Sequence, residues 1–118
     1  MHRKVTLPEV FTNWLDEQDK KIVEQLLSDK IVRKMENIGL DINNLTELEN
    51  HILENDKKYF SLQESGNTKE YMHFFCRARL LSAAKFIKQG NFNDALYEYF
   101  YSFDTDDPNE VIKDLDKN

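Results

Sequence analysis

Apolar side chains recur every three or four residues along most of this chain, the period of a helix buried on one face. In the first third of the chain these positions are Val10, Phe11, Trp14 and Leu15, then Ile22, Val23, Leu26 and Leu27, then Ile31, Met35 and Ile38. The pattern pauses near Asp19, which favours two helices over one bent helix. Gly39 follows the last of these positions and is placed to end the second helix as a left-handed cap.

The same period continues in four further segments. Their apolar positions are Leu45, Leu48, Ile52, Tyr59 and Phe60; Tyr71, Phe74, Phe75, Ala78, Leu81 and Phe86; Phe92, Ala95, Leu96, Tyr99 and Phe103; and Val111, Ile112 and Leu115. Ser65-Gly66-Asn67 predicts the first loop between them, Thr68 the next helix start, and Gly90 the following turn. Three helix starts carry a capping residue with glutamate three positions later: Thr6 with Glu9, Asn44 with Glu47, and Asp107 with Glu110.

Composition supports an all-α fold. The 118 residues include only three glycines and two prolines, so few turns are expected, and no segment shows the alternation of a strand. We predict a single domain over residues 1–118, a compact bundle of five or six helices with a helical hairpin at residues 69–103. We also expect the last helix to pack on that hairpin.

Charge is distributed unevenly. Residues 1–90 carry 14 acidic and 14 basic side chains, whereas residues 91–118 carry eight acidic and two basic, so the net charge of −6 belongs to the last quarter. Net acidity argues against direct nucleic-acid binding, which needs clustered lysine and arginine. The chain has no apolar run of membrane-spanning length, and polar residues follow Met1-His2-Arg3-Lys4 where a secretory signal would be apolar. With the single Cys76, these features predict a cytoplasmic protein.

A turn-like segment reads Lys88-Gln89-Gly90-Asn91-Phe92-Asn93-Asp94-Ala95-Leu96. With Ala83, Phe86, Tyr99, Ser102 and Phe103 around it, and Asp107-Pro108-Asn109 after it, residues 79–109 resemble a tetratricopeptide-type helical hairpin. The resemblance implies a protein- or peptide-binding scaffold. Arg79 and Ser82 depart from that family, which prefers a large aromatic residue and leucine there, and an ordinary hairpin with a glycine turn explains the same residues.

The segment from Val5 to Leu15 is similar to small uncharacterised phage proteins of Gram-positive bacteria, which would imply a phage source.

Two motifs carry possible chemistry. Glu70 and His73 have the spacing of helix-borne metal ligands, and His73 and Cys76 are three residues apart. A di-iron site needs a second such motif and a zinc site needs two more cysteine or histidine ligands, so we expect no metal, no cofactor and no catalytic residue.

The acidic and aromatic last quarter is the candidate interaction site. On a helix starting near Phe92, one face would hold Asp94, Tyr97, Tyr101 and Asp104, with Asp106 and Asp107 following. Tyrosine gives large contact area at low entropic cost. These residues predict a protein-binding surface, and two interpretations stay open: the tyrosines are exposed, or the last helix covers them.

Three functions are compatible with these features. The first is a non-catalytic regulator or inhibitor that binds a partner protein. The second is an acidic mimic of nucleic acid that blocks a DNA- or RNA-handling protein, such as a bacterial defence nuclease. Its candidate phosphate-like carboxylates are Asp104, Asp106, Asp107, Glu110, Asp114 and Asp116. A metal-dependent enzyme is the third and weakest.

Overall fold

The computed structural model describes residues 7–66 and 68–117, and within them the chain forms six α-helices and no strand. In chain order they are α1 Glu9–Asp16, α2 Lys20–Asn37, α3 Leu45–Ser65, α4 Thr68–Lys88, α5 Phe92–Tyr101 and α6 Pro108–Asp116. The all-α prediction is confirmed. The predicted break between the first two helices is also present, because the Asp19 side chain caps α2 by accepting the backbone N–H groups of Lys21 and Ile22.

Local sequence signals define several helix ends. Asn44 accepts the backbone N–H of Glu47 at 3.1 Å, which is one half of the predicted capping box. The Glu47 carboxylate accepts the Asn44 side-chain amide at 3.1 Å, and the backbone N–H of Asn44 donates to the Asp41 carbonyl instead. Asp107 caps α6 by accepting the backbone N–H of Asn109, one residue earlier than predicted, with Pro108 first in the helix. Gly90 has φ +74°, which lets the chain turn sharply between α4 and α5. The predicted Thr6 cap lies outside the described residues, and Pro8 occupies the N-cap position of α1.

Helix α4 is the centre of the architecture. It packs against α3 on one side, against α5 on another and against α2. Ala83, Ala84 and Ala95 are fully buried, and these small side chains allow close approach of helices.

Helix α6 does not lie where the sequence placed it. It packs mainly against α1 and α2, with Val111 and Leu115 buried and Ile112 partly buried, and it meets the α4–α5 hairpin through the bond from Tyr99 to Asp114. The physical reason is that α1 has only eight residues and leaves apolar surface that a second amphipathic helix can cover.

The buried apolar side chains of the described residues form one cluster. Its members are Phe11, Val23, Leu27, Ile31, Met35, Leu40, Ile42, Leu48, Leu81, Ala83, Ala84, Ala95, Tyr99, Phe100, Val111 and Leu115. At two adjacent apolar pairs one member points outward: Val10 and Ile22 are exposed while Phe11 and Val23 are buried. No helix in the described part of the chain is long and apolar enough to cross a membrane.

Helix α3 differs most from expectation. Of its predicted apolar stripe only Leu48 is buried, while Leu45 and Phe60 are 48% and 58% exposed. Its main contacts are with α4 alone, so a single neighbour covers part of the stripe and leaves the rest in solvent. Helix α3 therefore presents apolar side chains at the surface, and Phe60 in its C-terminal half is one of them.

Candidate interaction surface

An aromatic cluster joins the C-terminal half of α3 to the N-terminal half of α4. The Tyr59 and Tyr71 rings stack at 4.8 Å between centroids, and their hydroxyl groups form a hydrogen bond of 2.7 Å. Phe75 lies 6.0 Å from Tyr59, and Phe60 meets Tyr59 edge-on at 5.3 Å. The hydrogen bond to Tyr71 is the main cause that raises the pKa of Tyr59. The cluster thus holds two phenols paired by a hydrogen bond where α3 meets α4.

Arg79 extends this cluster towards α5. Its guanidinium carbon lies 5.2 Å from the Phe75 ring centroid, and its Nη1 donates a 3.0 Å hydrogen bond to the Glu98 carboxylate. The Arg79 cation is therefore stacked on a ring and paired with a carboxylate.

Tyr97 and Tyr101 continue the surface on α5. Their ring centroids are 4.9 Å apart, and both side chains are half-buried. Burial, then Tyr97, raises the pKa of Tyr101, and the nearby Arg79 charge opposes that shift. We call Tyr59, Phe60, Tyr71, Phe75, Tyr97 and Tyr101 the aromatic row. Arg79 and Glu98 join its α4 part to its α5 part.

The predicted carboxylates fall on different parts of the structure. Asp94 is half-buried in the first turn of α5 and accepts the Asn91 amide. Helix α5 ends at Tyr101, where the Ser102 hydroxyl donates to the Tyr99 carbonyl, so Asp104 lies outside the helix and not on its predicted face. Asp104, Asp106 and Asp107 are exposed in the link to α6, and with exposed Glu110 we call them the acidic link.

The candidate chemical motif on α4 lies beside this link. His73 is exposed and meets Phe74 edge-on at 5.1 Å, and with Cys76 and Asp104 it borders a shallow depression. Burial, reinforced by Asp104, raises the pKa of the Cys76 thiol, which is the opposite of what an activated nucleophile requires. No group of three histidine, cysteine or acidic side chains in residues 7–66 and 68–117 could hold a metal ion.

Two features of this region escaped the sequence analysis. One is the pairing of Tyr59 on α3 with Tyr71 on α4, which stand on either side of the Gly66 loop and so meet across a hairpin. The other is a junction of α2, α5 and α6. There the buried Tyr99 hydroxyl donates to Asp114, which also lies 3.5 Å from the Lys34 ammonium group. Lys34 in turn lies 5.2 Å from the Phe103 ring centroid.

The Tyr99 junction makes stability sensitive to alkaline pH. Burial, then the bond to Asp114, raises the pKa of Tyr99 far above its ordinary value of 10.0. Above pH 10 the folded state therefore keeps the Tyr99 proton that the unfolded state loses. The contribution of Tyr99 to the free energy of unfolding is complete below pH 10 and declines above it. We expect the free energy of unfolding to fall by up to about 1.4 kcal/mol per pH unit above pH 10. Urea denaturation across that range measures the slope, and a Tyr99→Phe variant with an unchanged slope would contradict this assignment.

No role for the aromatic row or the acidic link is carried over from a relative. The resemblances to a tetratricopeptide-type hairpin and to phage proteins stay predictions from local sequence. No protein-family model matches the chain, and searches of the curated proteins and of the solved structures find no match.

Proposed function

We propose that this protein is a non-catalytic binding protein that regulates or inhibits a partner protein by covering part of its surface. The observation that carries the proposal is the aromatic row, which runs over three helices and includes a phenylalanine that is more than half exposed. Aromatic residues are enriched at protein interfaces and dominate their binding energy. Exposed Phe60 and the partly exposed rings of the row offer apolar area that a partner can cover.

The charge of the chain indicates the chemistry of that partner. The acidic link and the net charge of −6 favour a partner with basic side chains, which would speed association, around an apolar patch that receives the aromatic row. The single, partly buried cysteine fits a reducing compartment, so we place this activity in the cytoplasm. The similarity of Val5–Leu15 to phage proteins suggests that the partner belongs to a bacterial host.

Simultaneous Tyr97→Ala and Tyr101→Ala substitution tests the proposal. We expect the double variant to lose its partner, at a cost of at least about 2 kcal/mol in binding free energy, because truncated aromatic anchors leave their pockets empty. The measurement is quantitative affinity capture from the native cell with the wild type and the variant in parallel, followed by titration of the captured protein.

Two further variants make that comparison specific. Ile22→Ala removes an apolar side chain that is 59% exposed on α2, outside the aromatic row, and should leave capture unchanged. Phe60→Ala lies at the other end of the row and should weaken capture if the row acts as one surface. Equal capture by the wild type and the double variant, with both folded, would exclude this surface.

The acidic link favours the mimic of nucleic acid as a second candidate, because its four carboxylates lie exposed within seven residues. Asp114 counts against it, since its carboxylate is engaged by Tyr99 and Lys34. Repeating the titration at rising salt separates the two candidates. A mimic would lose affinity steeply as salt screens its charges, whereas an aromatic interface would respond weakly.

A further inference from the structure

A cavity lies beside the seam between α3 and α4, and the aromatic row has no residue in its lining. Its volume is about 620 Å³, within the range of small-molecule sites in proteins. Leu40 and Leu81, both buried, and the partly exposed Phe74 supply its apolar lining. The cavity can therefore receive the apolar body of a small molecule.

The charge of this cavity is opposite to that of the protein. Lys57, Lys58 and Arg77 line it together with a single carboxylate, that of Glu54. None of the three cations forms an ion pair with another described residue. A cavity with excess positive charge on a chain of net charge −6 selects an anion from solution rather than a neutral molecule.

Asn55 adds a specific polar requirement. It lines the same cavity, is only 5% exposed, and donates its Nδ2 to the Phe74 carbonyl at 3.0 Å. That bond fixes the orientation of the Asn55 amide. The Oδ1 acceptor of the same amide is closed to solvent and has no hydrogen-bond partner among the described residues. A buried acceptor without a donor destabilises a protein. A donor carried by an occupant of the cavity is the partner that this oxygen can gain.

We propose that the α3–α4 cavity binds a small organic anion with a flat apolar body and an N–H or O–H donor. The phosphate or carboxylate group would meet Lys58 and Arg77, and the body would pack against Phe74. The donor would reach Asn55 once the side chains that cover its oxygen shift. This site is separate from the surface proposed for the partner protein, so either can fail without the other.

Titration of the full chain, labelled with ¹⁵N, tests the proposal by amide chemical-shift mapping at low salt. AMP and orotate are the probes, because one pairs a phosphate and the other a carboxylate with a flat ring that donates N–H. We expect at least one to saturate with Kd near or below about 1 mM and to shift amides of α3 and α4 around Asn55. The tighter of the two identifies the preferred anionic group.

Variants and partial probes decide the role of each feature. Adenosine and inorganic phosphate each lack one feature and should bind at least about tenfold more weakly than AMP. Lys58→Gln, Arg77→Gln and Asn55→Leu should each weaken the better probe by about tenfold, while Lys85→Gln, on α4 but outside the cavity, should not. If Asn55→Leu proves unstable, the two surface variants still decide the outcome.

Several results would overturn the proposal. These are the absence of saturable binding, phosphate binding as tightly as AMP, and an equal loss in Lys85→Gln, which would show unspecific attraction. Unchanged affinity in a folded Asn55→Leu variant would also overturn it. A response at the same amides to a polyglutamate peptide but not to AMP or orotate would show that the cavity is a protein-binding site instead.

Discussion

Replacing Tyr99 with alanine is expected to lower the free energy of unfolding by about 3–5 kcal/mol, because it removes a fully buried aromatic ring and leaves a cavity. Tyr99 is the largest fully buried side chain of the described residues, and its ring meets Phe103 edge-on at 5.2 Å. Its hydroxyl also joins α5 to α6 through Asp114. Small domains are stable by only about 5–15 kcal/mol, so thermal denaturation should show a melting point lower by roughly 10–20 °C.

Tyr99→Phe separates packing from hydrogen bonding at the same position. It keeps the ring and removes only the hydroxyl that donates to a carboxylate, so we expect a loss of about 1.5–3 kcal/mol. Tyr97→Ala is the matched control on the same helix, and because Tyr97 is half-buried we expect it to cost only about 1 kcal/mol. If Tyr97→Ala destabilised the protein as much as Tyr99→Ala, Tyr97 would belong to the core and the proposed binding surface would lose its α5 part.

Phe11→Ala is expected to cost about 3–5 kcal/mol as well, for a different reason. Phe11 is the buried residue of α1, and its ring lies 4.8 Å from that of Phe100 on α5. An isolated helix of eight residues is not stable in water, so α1 depends on this anchor. Since α6 packs on α1, loss of the anchor should also loosen α6.

Hydrogen exchange and urea denaturation measure this effect. We expect amides of α1 and α6 to lose protection in Phe11→Ala before those of α2 and α4. Val10→Ala is the neighbouring control, because Val10 is exposed and its truncation should change stability by less than about 0.5 kcal/mol. Unchanged protection of α6 in a folded Phe11→Ala variant would show that α2 alone holds the last helix.

The helices could be predicted from the sequence because their signals are local. Asn44 caps the helix that carries Glu47, and Asp107 with Pro108 starts the last one, in each case through contacts within three residues. The apolar period also identified Leu27, Ile31 and Met35 as core, since they repeat on one face of α2. Capping residues and the apolar period act within one helix. They therefore predict that helix correctly whatever the arrangement of the other helices.

The surface could not be predicted in the same way, because it depends on which helix covers which. The period marked Phe60 as a core residue, and it is exposed because α3 has one main neighbour. Arg79 and Glu98 are 19 residues apart in sequence, and Tyr99 and Asp114 are 15 apart, so no local sequence pattern predicts either pair. The α5 face was wrong at Asp104 for a simpler reason, which is that the helix ends one turn earlier.

The packing of α6 against α1 has a consequence for biosynthesis. A ribosome makes α1 before α6, and Leu115, which is fully buried, leaves the exit tunnel after all the other residues of the buried cluster. The α3–α4 and α4–α5 hairpins can form during translation, but the nascent chain cannot close its core until the final helix emerges. Until then, α1 lacks one of its packing partners and its apolar side chains are open to chaperones.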